Sequence, residues 1–238
     1  MDVELLAGRG WQRRSYREAL TELVGLGWLP CGVGDWAIAL RSPDGLHAAR
    51  VCPFDPAYPA FLELCRRCRG NRYLPQVDLE AALAGGGLLT VLEFLASAPD
   101  AAATELVRQW TDDQGDSELA AVKTTARAIE KEYRARVSWW DGIDINPGNI
   151  WLSADGRLVL IDIFCIDGAA LYGQVLMDAA VVRRRLPETV GHQLLEIPYL
   201  ARESSPTELQ ALQSAWVRSG SSGSPPAPSV VDWPRGRT

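Results

Sequence analysis

What the chain lacks narrows its class first. No run of about 18 apolar residues occurs in its 238 residues, so no segment reads as a membrane-spanning helix. The N-terminal MDVELLAGRGWQRR has no long apolar core, so a Sec-type signal peptide is not expected. A cytoplasmic protein is expected, with a secreted effector or a phage product left open. An excess of basic charge is also missing. The 24 Lys and Arg against 30 Asp and Glu give a formal net charge of −6, which argues against a nucleic-acid partner held by counterion release. Neither a nucleic acid nor a membrane is expected as a partner. The five cysteines (Cys31, Cys52, Cys65, Cys68, Cys165) are odd in number and scattered, which fits a reducing compartment better than a disulfide framework. Cys65 and Cys68 form a CxxC without a second Cys or His pair nearby, so ordinary helix positions are expected of them rather than zinc or redox chemistry. His192 has no partner in sequence, and no internal repeat is evident.

What is present is apolar mass and one polar stretch set within it. With 47% hydrophobic residues and nine Trp, the chain can fill a sizeable core, either as one large domain or as two lobes sharing a cleft. The polar stretch is WWDGIDINPGNIWLSADGRLVLIDIF, residues 139–164. Asp144 and Asn149 lie in the loop DINPGN, a short apolar strand covers 150–152, and Asp155-Gly156 makes a turn. A second strand over 158–161 delivers Asp162 at its end. Gly supplies the positive φ that such hairpin turns need. Folding the hairpin brings the loop before it and the Asp after it to the same end, so Asp144, Asn149 and Asp162 are predicted to converge. Two carboxylates and a carboxamide suit a hard cation such as Mg²⁺, with one carboxylate left over as a base. Those are the requirements of phosphoryl transfer: neutralised phosphates and a positioned acceptor hydroxyl.

The order Asp, four residues, Asn, then a strand-borne Asp resembles the catalytic loop and metal-binding Asp of the protein-kinase-like superfamily. The DxxPGN wording is closest to its aminoglycoside-phosphotransferase and small-molecule-kinase branch. Upstream, Gly32 and Gly34 in GVGDWA lead into two apolar runs, 36–40 and 46–52, separated by Ser-Pro-Asp-Gly. This looks like the Gly-rich loop that covers ATP phosphates in kinase-like folds. The resemblance implies that Arg50, where the family carries Lys, contacts the α- and β-phosphates. Arg keeps the charge but is longer and planar. It further implies that Glu63, on the following helix, pairs with Arg50, and that Glu93, Phe94 and Leu95 form the hinge whose backbone groups read adenine. Asn149 and Asp162 would hold Mg²⁺ and Asp144 would act as the catalytic base. Asp178, in a GxxxxDxA pattern, would brace the catalytic loop. The chain departs from the family at Gly142, where His is usual, at Asn146, and at Ile163-Phe164 in place of Phe-Gly.

The implied fold is α+β and bilobal. An antiparallel N-lobe occupies 1–92, a compact helical C-lobe 93–218, and a disordered Ser/Gly/Pro-rich tail 219–238. A helix is expected over 12–27, a turn into a strand over 72–77, and a flexible turn at the end of 79–87. Helices are also expected over 101–110 and 117–140. The second of these carries Leu119, Val122, Ala126, Ile129, Tyr133 and Val137 as an apolar stripe and runs straight into the catalytic loop. Arg183-Arg184-Arg185 reads as a solvated basic face, and one or two helices follow over 186–218. The implied function is an ATP- and Mg²⁺-dependent kinase, a transferase moving the γ-phosphate to a hydroxyl of a small molecule or a protein. A kinase-shaped binding module without turnover, or an AMP-transferring enzyme on the same fold, stand as alternatives.

Overall fold

Residues 4–186 and 191–220 are described by a computed structural model. The expected tail beyond residue 220, residues 187–190 and the side chain of His192 lie outside the described set. After the short helix α1 (Glu4–Ala7), α2 (Tyr16–Gly25) starts where Ser15 and Glu18 exchange hydrogen bonds in a capping box. The helix expected over 12–27 is therefore shorter, and residues 11–13 form a separate 3-10 turn. Then come β1 (Leu29–Val33), β2 (Ile38–Arg41) and β3 (His47–Cys52), helix α3 (Tyr58–Arg67), β4 (Val77–Ala82) and β5 (Leu88–Glu93). The five strands form one antiparallel sheet in the order β1-β2-β3-β5-β4. Gly45, at φ 76°, closes the Ser-Pro-Asp-Gly turn, and its N–H donates to the Ser42 carbonyl. Helix α2 buries Ala19, Leu20 and Leu23 in a small core with Trp11, Trp28, Leu40, Val51, Leu89 and Val91. The turn expected at the glycine end of 79–87 lies at 84–86, and the residues before it are strand: Glu80 pairs with Thr90 and Ala82 with Leu88.

Beyond β5 the chain is mostly helical. The elements are β6 (Ala96–Ser97), α4 (Asp100–Thr111), α5 (Ser117–Arg134), β7 (Trp140–Ile143), β8 (Ile150–Leu152), β9 (Leu158–Leu160) and β10 (Phe164–Ile166), followed by α6 (Gly168–Arg185), α7 (Pro198–Glu203) and α8 (Pro206–Arg218). The apolar stripe of α5 is buried from Leu119 through Tyr133. Its core also takes in Phe61 and Leu64 of α3, Trp140, and Leu171 and Val175 of α6. Helix α5 does not run into the catalytic loop as the spacing predicts. It ends at Arg134, and the chain returns as β7, paired antiparallel with β10. The cause is local: Trp139 and Gly142 sit at φ 60° and 123°, which no helix accommodates. Trp140 is also stacked between Tyr133 and Phe164, at ring-centroid distances of 5.4 and 5.6 Å.

The Arg triplet ending α6 is not simply a solvated face. Arg183 lies 3.9 Å over the Trp216 ring and donates to the Trp216 carbonyl and the Ser219 hydroxyl, docking α8 onto α6. The 3-10 turn Gly191–Glu196 and α7 cross between the lobes. Leu194, Ile197 and Leu200 are buried in the larger core, and the Tyr172 hydroxyl donates to the Leu194 carbonyl. The same segment reaches the sheet lobe through Gln193, which donates to the Ala84 carbonyl at 3.2 Å, and through a 3.0 Å ion pair between Arg17 and Glu196. Cys65 is buried in α3 and Cys68 ends that helix.

Leu64, fully buried on the face of α3 that meets α5, is a test of the core that joins the lobes. Leu64→Ala is expected to lower unfolding free energy by about 2–5 kcal/mol, read as a shifted urea midpoint at unchanged slope.

Candidate active site

The polar stretch folds as its spacing predicts. Strands β8 and β9 pair as Ile150 with Leu160, Trp151 with Val159 and Leu152 with Leu158. Gly156, at φ 84°, makes the turn, donating to the Ser153 carbonyl. Asp144 sits at the end of β7, where its N–H donates to the Ile163 carbonyl at 2.8 Å, and the Ile161 N–H donates to the Asn149 carbonyl at 2.9 Å. These two backbone bonds fall on either side of Asp162, so the loop and the strand-borne Asp come together. Asp162 itself has φ 52°, a left-handed conformation uncommon for a residue with a side chain. Such conformations persist where surrounding bonds over-determine them, as the two anchors do here.

Inside the loop the carboxamides order the carboxylate. Asn149 Nδ2 donates to the Asp144 backbone carbonyl at 2.8 Å and lies 3.5 Å from Asp144 Oδ2. Asn146 Nδ2 donates to the same Oδ2 at 3.0 Å, while Asn146 Oδ1 accepts the Gly148 N–H at 2.8 Å. Asn146 thus closes the loop as an Asx turn and holds Asp144 with its other end. Gly142, where the resemblance leads one to expect His, has φ 123° and faces Arg134 and Glu130, so this backbone position favours Gly.

Arg50 extends from β3 to this point. Its Nη2 donates to Asp55 at 2.6 Å and to Asp162 at 3.1 Å, and its guanidinium carbon lies 3.7 Å over the Tyr58 ring. Its side chain is 12% exposed and that of Asp55 is 5% exposed, whereas Asp162 is 40% exposed and faces the cleft. Burial alone would lower the Arg50 guanidinium, but the carboxylates of Asp162 and Asp55 more than reverse this and hold it well above its ordinary value. Burial raises the Asp55 carboxyl, against the pull of Arg50. Asp55 Oδ1 also accepts the N–H groups of Ala57 and Tyr58 at the start of α3.

Three expected placements need correction. Glu63 does not reach Arg50. It points outward and pairs with Arg66 and Arg67 at 2.7 and 2.8 Å, the (i, i+3) and (i, i+4) neighbours that helical spacing offers. Those cations hold its carboxyl below the usual range, Arg66 first. Asp178 does not brace the catalytic loop. Helix α6 breaks at Asp178 (φ −155°), and its Oδ1 caps the second half through Ala180 and Val181 N–H. At the hinge, the Glu93 and Phe94 N–H groups are already bonded to the Gln76 and Leu46 carbonyls. The Glu93 carboxylate takes the Gln76 N–H and Arg157, while Leu95 is buried with Leu92 and Val159.

Gly32 and Gly34 lie where the β1–β2 hairpin turns, and the Gly34 N–H donates to the Ala37 carbonyl at 2.9 Å. The hairpin tip is tied across the cleft. The Tyr199 N–H donates to the Asp35 carbonyl at 2.9 Å, and Arg202 donates to the Val33 carbonyl at 2.9 Å and to Asp35 Oδ1 at 2.5 Å. Trp36, next in the chain, packs toward Phe54 at a centroid distance of 6.2 Å and covers the Cα of Gly168, where an added Cβ would stand 3.6 Å from the indole. Sequence spacing missed Asp55, Tyr58, Trp36 and Arg202. Asp55-Pro56 before a helix is the one signal that could have pointed to Asp55.

No family model matches the sequence, and no curated protein does. Among solved structures it shares a distant likeness with a chain of the CAK complex from Chaetomium thermophilum bound to ATP-gamma-S. Identity there is 18% and TM-score 0.36, over 82% of this chain and 70% of that one. A second likeness is to WbdD (11%, 0.32, 80% and 50%). A third is to the GDP complex of a mutant aminoglycoside 2'-phosphotransferase-IIIa (11%, 0.36, 83% and 86%). The architecture itself, a five-stranded antiparallel sheet followed by a helical part, is consistent with the bilobal kinase-like fold that the motifs imply.

Removing the tie at the hairpin tip is expected to free it. Arg202→Ala should speed amide hydrogen exchange over 33–37 by about tenfold or more while leaving the β3–β5 amides unchanged, as mass-resolved exchange would read.

Proposed function

We propose that the chain is an ATP- and Mg²⁺-dependent phosphotransferase acting on a hydroxyl acceptor, a small molecule or a protein side chain. The observation that carries this is the pair of backbone bonds, Asp144 to Ile163 and Ile161 to Asn149, that set Asp144 and Asn149 around Asp162. In this reading Asp144, oriented by Asn146 and Asn149, accepts or orients the acceptor's hydroxyl proton through Oδ2. Asn149 spends its Nδ2 on the Asp144 carbonyl, which turns its Oδ1 away as an oxygen donor. Asn149 Oδ1 and the Asp162 carboxylate are the hard-oxygen set that would hold Mg²⁺. Among the described residues no larger His, Cys, Asp or Glu cage exists. Two protein ligands completed by phosphate oxygens and water are what Mg²⁺ uses in such sites. When bound there, the ion would neutralise charge on the transferring phosphoryl group. Arg50 reaches Asp162 from the sheet lobe and carries the positive charge for the non-transferred phosphates. Gly32 and Gly34 keep side chains off the hairpin tip, which would leave its ties to Tyr199 and Arg202 to cover them. The lobes divide near residues 92 and 93.

A second reading, a nucleotide-binding module without turnover, is favoured by a specific feature. Arg50 is already neutralised by Asp55 and Asp162, and the Gly-rich tip is tied to α7. Incubating the protein with Mg²⁺, a fractionated lysate and ATP labelled at either the γ- or the α-phosphate separates these readings. Transfer of γ-label, lost on the order of a thousandfold in Asp144→Ala and Asp162→Ala, is the expected outcome. Movement of α-label alone would assign AMP transfer instead, and no movement of either label would leave the binding module.

A further inference from the structure

We infer that Asp55, in the loop between β3 and α3, is the residue that positions Arg50 toward the phosphates, the task that the motif pattern gives to Glu63 on the helix. The inference rests on the nucleotide reading above and deepens it. Three observations carry it. Asp55 is the nearer of the two carboxylates on Arg50, at 2.6 Å against 3.1 Å for Asp162, and it is buried where Asp162 faces the cleft. The guanidinium is gripped where the loop enters α3, with Asp55 at its edge and the ring of Tyr58, the first residue of the helix, 3.7 Å beneath it. Its Nη1 is buried without a hydrogen-bond partner, so one nitrogen of the fork, with two N–H groups, remains after Nη2 has served both carboxylates.

The division of labour follows from these positions. A polyphosphate and a metal entering the cleft compete for Asp162, which is exposed enough to exchange partners. Asp55 is too buried to do so and keeps Arg50 in place with its charge compensated. Asp55 Oδ1 at the same time accepts the Ala57 and Tyr58 N–H groups. The start of α3 and the direction of Arg50 are therefore fixed by the same carboxylate. Helix α3 cannot swing outward while Arg50 stays in register, so its position does not serve as a separate on–off control of the cation. Glu63, engaged with Arg66 and Arg67 on the solvent side, has no part in this.

Asp55→Asn isolates the effect. The Asn keeps the volume and the Oδ1 acceptor for the two helix amides, and puts a neutral Nδ2 donor in place of the charged acceptor that faces Arg50 Nη2. Binding of ATP and of adenosine is measured on the full chain by calorimetry, for the unmodified protein, Asp55→Asn, Asp55→Glu and Glu63→Gln. The expected result is ATP weakened by about tenfold in Asp55→Asn, the lower end of what removing an orienting partner costs. Adenosine, which has no phosphate to meet Arg50, is expected to bind unchanged, and Glu63→Gln to alter neither. Asp55→Glu, which keeps the charge one methylene further out, should fall between, and it supplies the same ATP-against-adenosine comparison where the Asn protein does not fold. Equal weakening of both ligands would overturn the inference in favour of a structural role, as would unchanged ATP binding or a loss in Glu63→Gln. An unmodified protein that binds ATP no better than adenosine would overturn the nucleotide reading itself and the inference with it.

Discussion

A buried guanidinium is the constraint on which the middle of this molecule depends. An isolated charge in a low-dielectric interior costs several kcal/mol even after relaxation, and it survives only with counter-charges and hydrogen bonds in good geometry. Arg50 meets that demand with Asp55 and Asp162, one from the strand-to-helix loop of the small lobe and one from the large lobe. It adds the Tyr58 ring beneath the planar cation, an arrangement that Arg suits better than Lys. Deleting either carboxylate would leave a buried charge partly uncompensated, so the pair fixes how the lobes meet as well as what faces the cleft. Its net worth to stability is modest, because the attraction is set against desolvation. Its consequence is geometric.

The second constraint is backbone bookkeeping around Asp162. A residue with a side chain at φ 52° is unfavourable by itself, on the order of 1–3 kcal/mol. It is held by its two neighbours, Ile161 bonded to Asn149 and Ile163 bonded to Asp144. Those bonds exist only because β8 and β9 pair in one register and β7 and β10 in another. Slipping either pairing by one residue would turn Ile150, Leu160 or Phe164 out of the core. The apolar frame of the stretch thus specifies the register, the register specifies the two anchors, and the anchors aim the carboxylate.

Those links explain what was legible from residues alone. The β8–β9 hairpin was legible because an Asp-Gly turn and two short apolar runs are local signals, and convergence of Asp144, Asn149 and Asp162 follows from them. Glu63 was misplaced because helical period says which residues share a face but not which face turns inward. Here Phe61, Leu64 and Cys65 take the core side and leave Glu63 to its i+3 and i+4 arginines. Asp178 was misread because a helix-capping Asp and a loop-bracing Asp look alike in sequence, and only the break in α6 tells them apart. Strands β7 and β10 went unseen because each is short and their pairing joins residues about twenty positions apart. Asp55 carries only a local signal, Asp-Pro ahead of a helix, which says nothing of Arg50. Its role appears only once β3 and α3 fix where Arg50 ends.

The segment from the 3-10 turn at 191–196 through α7 adds a restraint of a different kind. It is buried on one side by Leu194, Ile197 and Leu200, so its anchorage to the large lobe is apolar and hard to undo. On the other side it holds the small lobe by polar contacts at Ala84, Arg17 and Asp35, spread along the segment. Exposed pairs of this sort contribute individually little, roughly 0–1 kcal/mol, and each can exchange with water. A strong grip on one lobe and several weak ones on the other is an arrangement that opens by releasing the weak side. The Gly-rich hairpin, tied through Asp35 and covered by Trp36 over Gly168, is the part such a release would free first. The Arg50–Asp55 pair, buried on both sides and contained within the small lobe, does not depend on that release.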